Sequence, residues 1–152
     1  MQDFIALALS LAQQSLLLSS PNPHVGCVLT SADGQLLGQG FTQRVGGPHA
    51  EIMALRAAQA QGHSLIGATA YVTLEPCSHQ GRSGPCCDAL IAAGIKKVVA
   101  SLLDPNPLVG GQGFARLRAA GITVEVVPAQ CSRVNSISVF SAACCAARPG
   151  FA

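Results

Sequence analysis

Residues 69–101 read TAYVTLEPCSHQGRSGPCCDALIAAGIKKVVAS. The first run, Thr69 to Leu74, is β-branched and apolar, which predicts a buried strand. A loop rich in Ser, Gly and Pro then carries the chain to Pro85. Cys86 to Ala93 predicts a short helix stopped by Gly94, and Lys97 to Ser101 predicts a second strand. Strand, helix and strand in that order predict parallel strands joined by a crossover helix.

Working outward, residues 112–120 predict a further helix ending at Gly121, and Ile122 to Val127 a last strand. Upstream, residues 3–18 predict a helix whose buried face carries Phe4, Leu7, Ala8 and Leu11 at i, i+3, i+4 spacing. Pro21 and Pro23 end it and leave a fixed Pro-Asn-Pro loop. Val25 to Thr30 and Leu36 to Phe41 predict two strands, with Asp33-Gly34 as the hairpin signal. Gly46, Gly47 and Pro48 break the chain before a helix from about His49 to Gln61. The sum is an α/β fold: a three-layer α/β/α sandwich around a mixed five-stranded sheet, with helices on both faces. Residues 1–128 form the expected domain. Residues 129–152 form a tail without Asp or Glu, whose Ala/Cys/Ser content permits a helix without demanding one.

Composition bounds the rest. Of the 152 residues, 49% are hydrophobic and 11% charged, which suits one domain with a packed core. Aromatics are scarce, so Ala, Val, Ile and Leu must fill that core. The net charge of +2 is spread thinly, with no Lys or Arg before Arg44, which argues against a nucleic-acid partner. Seven cysteines, with two adjacent pairs, make a poor disulfide framework and read as reduced, intracellular thiols. The apolar stretch Phe4 to Leu18 lacks a basic flank and is broken by Gln13 and Gln14, so it reads as a core helix rather than a leader. No run of residues is long and apolar enough to predict a membrane span.

Three segments carry chemistry: Pro48-His49-Ala50-Glu51, Glu75-Pro76-Cys77 and Pro85-Cys86-Cys87. His49, Cys77 and Cys86 supply an imidazole and two thiolates, a zinc ligand set that leaves a tetrahedral position open for water. Such a metal lowers the water's pKa from about 15.7 towards about 7. Glu51, two residues after His49 near a helix start, is placed to move that water's proton. Cys86 follows Pro85 at the start of a helix, whose positive end favours a thiolate there. The rival is a closed structural site with Cys87 as fourth ligand. Neighbours on a helix point about 100° apart, so Cys87 reads as core. The loop Ser78 to Pro85 holds His79 and Arg82 and no acid. From charge alone it reads equally as a phosphate site and as a solvated loop.

His-x-Glu followed by Pro-Cys-x-x-Cys is the zinc-deaminase signature, and here its second part is longer, with eight residues between Cys77 and Cys86. The run Thr73 to His79, continuing through Gly81-Arg82 to Pro85-Cys86, resembles the deaminase domain of the bifunctional riboflavin-biosynthesis deaminase/reductase, in the cytidine-deaminase-like superfamily. So do Pro21-Asn22-Pro23 with Val25-Gly26, and Asp104-Pro105-Asn106-Pro107 with Gly110 and Gly113. The resemblance covers about residues 1–127. It implies one catalytic zinc ion and a cytoplasmic, homo-oligomeric enzyme. The implied substrate is 2,5-diamino-6-ribosylamino-4(3H)-pyrimidinone 5′-phosphate, which would lose its C2 amine as ammonia. It further implies that Glu51 shuttles protons and Asn22 contacts the base. His79 and Arg82 would contact the ribose phosphate, and Asp104 and Asn106 would close over the sugar. Asn22, Asp104 and Asn106 also fit plain turn or strand-end roles. Two alternatives stand beside this reading: a deaminase of a free base or nucleoside, and an inactive zinc-binding copy.

Two departures from the family pattern stand out. Ser83-Gly84 replaces the usual Thr-Pro before Pro85-Cys86, which predicts a more flexible loop. The chain also stops at Ala152, about where the reductase domain begins, so no nicotinamide cofactor is expected.

Overall fold

The structure, a computed structural model, describes residues 3–15, 24–44, 47–78, 84–103 and 110–127. Helix α1 spans Phe4–Gln14, and the Asp3 carboxylate caps it by accepting from the Ala6 N–H at 3.1 Å. Strands β1 (Gly26–Thr30) and β2 (Leu36–Phe41) form the hairpin. Its turn uses Gly34 at φ +87°, with the Ser31 N–H bonded to the Gln35 carbonyl at 2.8 Å. Then come α2 (Ala50–Ala60), β3 (Thr69–Val72), α3 (Cys86–Ala93), β4 (Lys97–Ala100), α4 (Gln112–Ala119) and β5 (Thr123–Val126).

The five strands form one sheet in the order β2-β1-β3-β4-β5. β1 runs antiparallel to both β2 and β3, while β3, β4 and β5 run parallel. The mixed sheet and the element order agree with the sequence reading. Strands β3 and β4 end at Val72 and Ala100, each shorter than the apolar run that predicted it. Beyond those points the backbone is held by irregular bonds, such as the Glu75 N–H to the Leu102 carbonyl at 2.9 Å.

Both faces are covered, but unequally. One core cluster joins α2, α3 and α4 to one face through Cys27, Leu29, Val72, Leu90, Val98 and Leu117. Among the described residues, the opposite face carries α1, through Ile5 and Leu9 against Val99, and Ala8 and Leu11 against Val28. The asymmetry follows from handedness. Two right-handed crossovers that advance in the same direction, β3 to β4 to β5, put both helices on the same face. Residues 16–18 of the predicted first helix and the tail 129–152 lie outside the described residues. Among the described residues, no helix is long and apolar enough to cross a membrane.

Close approach of α2 to the sheet positions the site. Ala50, Ala54 and Ala58 face it and are fully buried. On the strand side, Gly38 and Gly40 leave no gap: a Cβ at Gly40 would lie 2.6 Å from the Met53 Cβ and 2.8 Å from the Ala50 carbonyl. These small residues let the backbone of α2 rest on β2. Gly40→Ala is predicted to lower stability in urea unfolding by about 1–3 kcal/mol, the usual cost of overpacking. A change below about 0.5 kcal/mol would show that α2 backs away freely.

Candidate metal centre and active site

Each proposed metal ligand stands where a regular element starts or ends. Pro48 leads into His49, the N-cap of α2, which is extended at φ −73° and ψ 167°. Cys77 lies on the irregular segment after β3. Cys86 is the first residue of α3, as the sequence predicts, behind the N-cap Pro85. The His49 Nδ1 sits 3.2 Å from the Cys86 Sγ and 3.7 Å from the Cys77 Sγ. All the donor atoms lie within 4.8 Å of one another. Ligands around a tetrahedral zinc stand about 3.5–3.8 Å apart, given Zn–S near 2.3 Å and Zn–N near 2.0 Å. One nitrogen and two sulfurs at this spacing fit zinc in both geometry and softness.

The electrostatics favour anionic sulfur. Cys77 is pulled down to about 4, first by the hydrogen bond from the Cys86 thiol, then by those from His49 and the Cys86 backbone N–H. That N–H reaches the Cys77 Sγ at 3.2 Å. Cys86 is pushed up, because its proton is held against Cys77 and it is buried. The sequence placed the benefit of the α3 N-terminus on Cys86 itself. In the structure the first N–H of α3 points instead at the Cys77 sulfur, which lies in front of the helix. His49 is raised, chiefly by its hydrogen bond to Cys77.

Glu51 occupies the first turn of α2 and is only 4% exposed. Burial pushes its carboxyl up to about 7, and the negative Cys77 adds to this. The charges of Cys77 and His49 and the Cys86 side chain also act on the carboxyl, which places it close to the cluster. A carboxyl near 7 both accepts and donates a proton at neutral pH.

Cys87 faces away from the cluster. It is fully buried, and its Sγ donates to the carbonyls of Pro76 at 3.3 Å and Gly113 at 3.5 Å. That geometry disfavours the closed four-ligand rival. The four described cysteines are free thiols. Gly84 adopts φ +69°, a backbone that proline cannot take and that favours glycine. Asn22, His79, Arg82, Asp104 and Asn106 lie outside the described residues.

Sequence reasoning gave Glu75 no role, yet its buried carboxylate accepts from the Gly111 N–H at 2.8 Å and the Gly113 N–H at 3.2 Å. The only signal for it was a charge inside an apolar strand end. Zinc titration is predicted to give one ion per chain for wild type and for Cys87→Ser. Cys77→Ser and Cys86→Ser should each weaken binding by at least about a hundredfold through loss of a thiolate ligand. Retained affinity in either would remove that cysteine from the ligand set.

Comparison with known proteins agrees with this geometry. Residues 1–102 match the family model for the cytidine and deoxycytidylate deaminase zinc-binding region. The chain is 59% identical over 127 residues to the riboflavin biosynthesis protein RibD of Escherichia coli, covering 82% of this chain and 34% of that protein. It thus spans about a third of the length of this relative. A diaminohydroxyphosphoribosylamino-pyrimidine deaminase of Buchnera aphidicola is 46% identical over 123 residues, covering 81% of each chain. Among solved structures, Acinetobacter baumannii RibD superposes with a TM-score of 0.75 at 52% identity, over 81% of this chain and 34% of that one. With that match and its zinc-ligand geometry, the chain belongs to the cytidine and deoxycytidylate deaminase zinc-binding family.

Proposed function

We propose that the chain hydrolyses the C2 amine of 2,5-diamino-6-ribosylamino-4(3H)-pyrimidinone 5′-phosphate, consuming water and releasing ammonia. The observation that carries the reaction type is the buried Glu51 carboxyl against the His49–Cys77–Cys86 cluster. The deaminase from Buchnera, matched along most of its length, supports the substrate.

In this reading His49, Cys77 and Cys86 hold zinc, which supplies the Lewis acidity that brings the attacking water's pKa towards neutrality. The chain's own residues manage the protons. Glu51 takes one from the water as it adds to ring C2, and passes it to the ring nitrogen. It then helps deliver a proton to the amine, which leaves as ammonia while the C2 carbonyl forms. Asn22 orients the base, His79 and Arg82 hold the phosphate, and Asp104 and Asn106 close over the ribose. We place the reaction in the cytoplasm, with a small-molecule partner and a homo-oligomeric chain. The free thiols suit that compartment.

A deaminase of a free base or nucleoside is the second reading, favoured by the breadth of the family model. It predicts no preference for the phosphate. Ammonia release from the ribotide is expected for the zinc-loaded chain, with kcat reduced about 10²–10⁴-fold or more in Glu51→Gln. Equal rates in both proteins would remove Glu51 from the chemistry. Arg82→Ala should raise KM about tenfold or more with kcat little changed, and the dephosphorylated ribosyl compound should be a poor substrate for wild type. Equal turnover with and without the phosphate would favour the second reading.

A further inference from the structure

Cys77 sits on irregular backbone, so its sulfur is only as well placed as the groups that grip its neighbours. Thr73 fastens the start of the segment to β1, through its N–H to the Gly26 carbonyl and its Oγ1 from the Gly26 N–H, both at 3.1 Å. Cys87 fastens the far side, its N–H bonding the Cys77 carbonyl at 3.2 Å. Between them stands Glu75, 5% exposed, whose side chain turns away from the cluster towards α4.

Helix α4 has no cap from its own N-terminal side chain, because the N-cap is Gly111 at φ +87°. The cap comes from 36 residues upstream. Both Glu75 oxygens accept from the Gly111 N–H, at 2.8 and 2.9 Å, and Oε2 also accepts from the Gly113 N–H at 3.2 Å. Those donors are ones a helix start leaves unpaired, and a carboxylate is the favoured charge there. The fit is tight on the other side as well. A Cβ on Gly113 would collide with the Pro76 carbonyl and lie 3.1 Å from the Glu75 Cγ. The same Pro76 carbonyl accepts from the Cys87 thiol. The peptide beside Cys77 is therefore clamped between α3 and α4.

We propose that Glu75 is a positioning residue of the metal centre: locked on the N-terminus of α4, it fixes the Pro76–Cys77 backbone and so aims the Cys77 sulfur at His49 and Cys86. The proposal rests on the reading of those three residues as metal ligands. It assigns Glu75 no contact with substrate and no proton transfer. It also differs from a plain helix cap, which would stabilise α4 and leave the metal centre unchanged.

The test uses the full chain loaded with Co²⁺, as wild type, Glu75→Gln and Gly113→Ala. Three quantities are read: the visible and thiolate-to-cobalt absorption bands, zinc affinity by chelator competition, and Tm. Glu75→Gln should weaken zinc binding about tenfold, the lower end for a residue that orients a ligand, and shift the visible bands. Gly113→Ala should do the same with the carboxylate intact, since it displaces the same carbonyl; it decides the matter if Glu75→Gln does not fold. Variants with lower Tm but wild-type spectra and zinc affinity within about twofold would overturn the proposal and leave Glu75 a cap. A wild-type chain with no thiolate-to-cobalt band would instead overturn the metal-centre reading, and this proposal with it.

Discussion

Bringing an imidazole, two thiols and a carboxyl into an apolar interior costs free energy unless each polar group finds a partner. Here the partners are largely the ends of helices. The first N–H of α3 faces the Cys77 sulfur at 3.2 Å. Glu51 lies in the first turn of α2, where negative charge is favoured. Two helix starts thus point at one spot beyond the β1–β3 part of the sheet. The low Cys77 pKa rests first on the Cys86 thiol, then on His49 and the first N–H of α3. The metal adds the positive charge that the set still needs.

That convergence depends on close packing of small residues. Gly38 and Gly40 on β2 meet Ala50, Ala54 and Ala58 on α2, so the helix rests nearly on the strand backbone. Gly113 does the same for α4 against the Pro76 carbonyl. The scarcity of aromatics is the compositional face of this design. A core of Ala, Val and Leu allows helix axes close to the sheet, and close axes keep the side chains at helix starts within reach of one another.

Most of the architecture was legible because its signals are local. The β-branched run at Thr69, the Gly94 stop and the Asp33-Gly34 turn each follow from short-range chemistry. The ligand set was legible because zinc accepts few donor types and the chain offers them at element boundaries. What the sequence hid was long-range. Pattern alone did not reveal that α3 and α4 share a face, nor that Glu75 caps a helix 36 residues away. It also set the helix-end effect on Cys86, because sequence adjacency suggested it. In space the Cys86 N–H points at the sulfur of Cys77. Nor did pattern show that Gly84 takes a φ of +69°, a backbone that favours glycine.

The most direct test of the centre is zinc-edge X-ray absorption on the full, metal-loaded chain. The account predicts two sulfurs at about 2.3 Å and two nitrogen or oxygen neighbours at about 2.0–2.1 Å, one of them exchangeable solvent. A shell with three sulfurs would place Cys87 on the metal and make the site closed and structural. A shell without sulfur would remove Cys77 and Cys86 from it altogether.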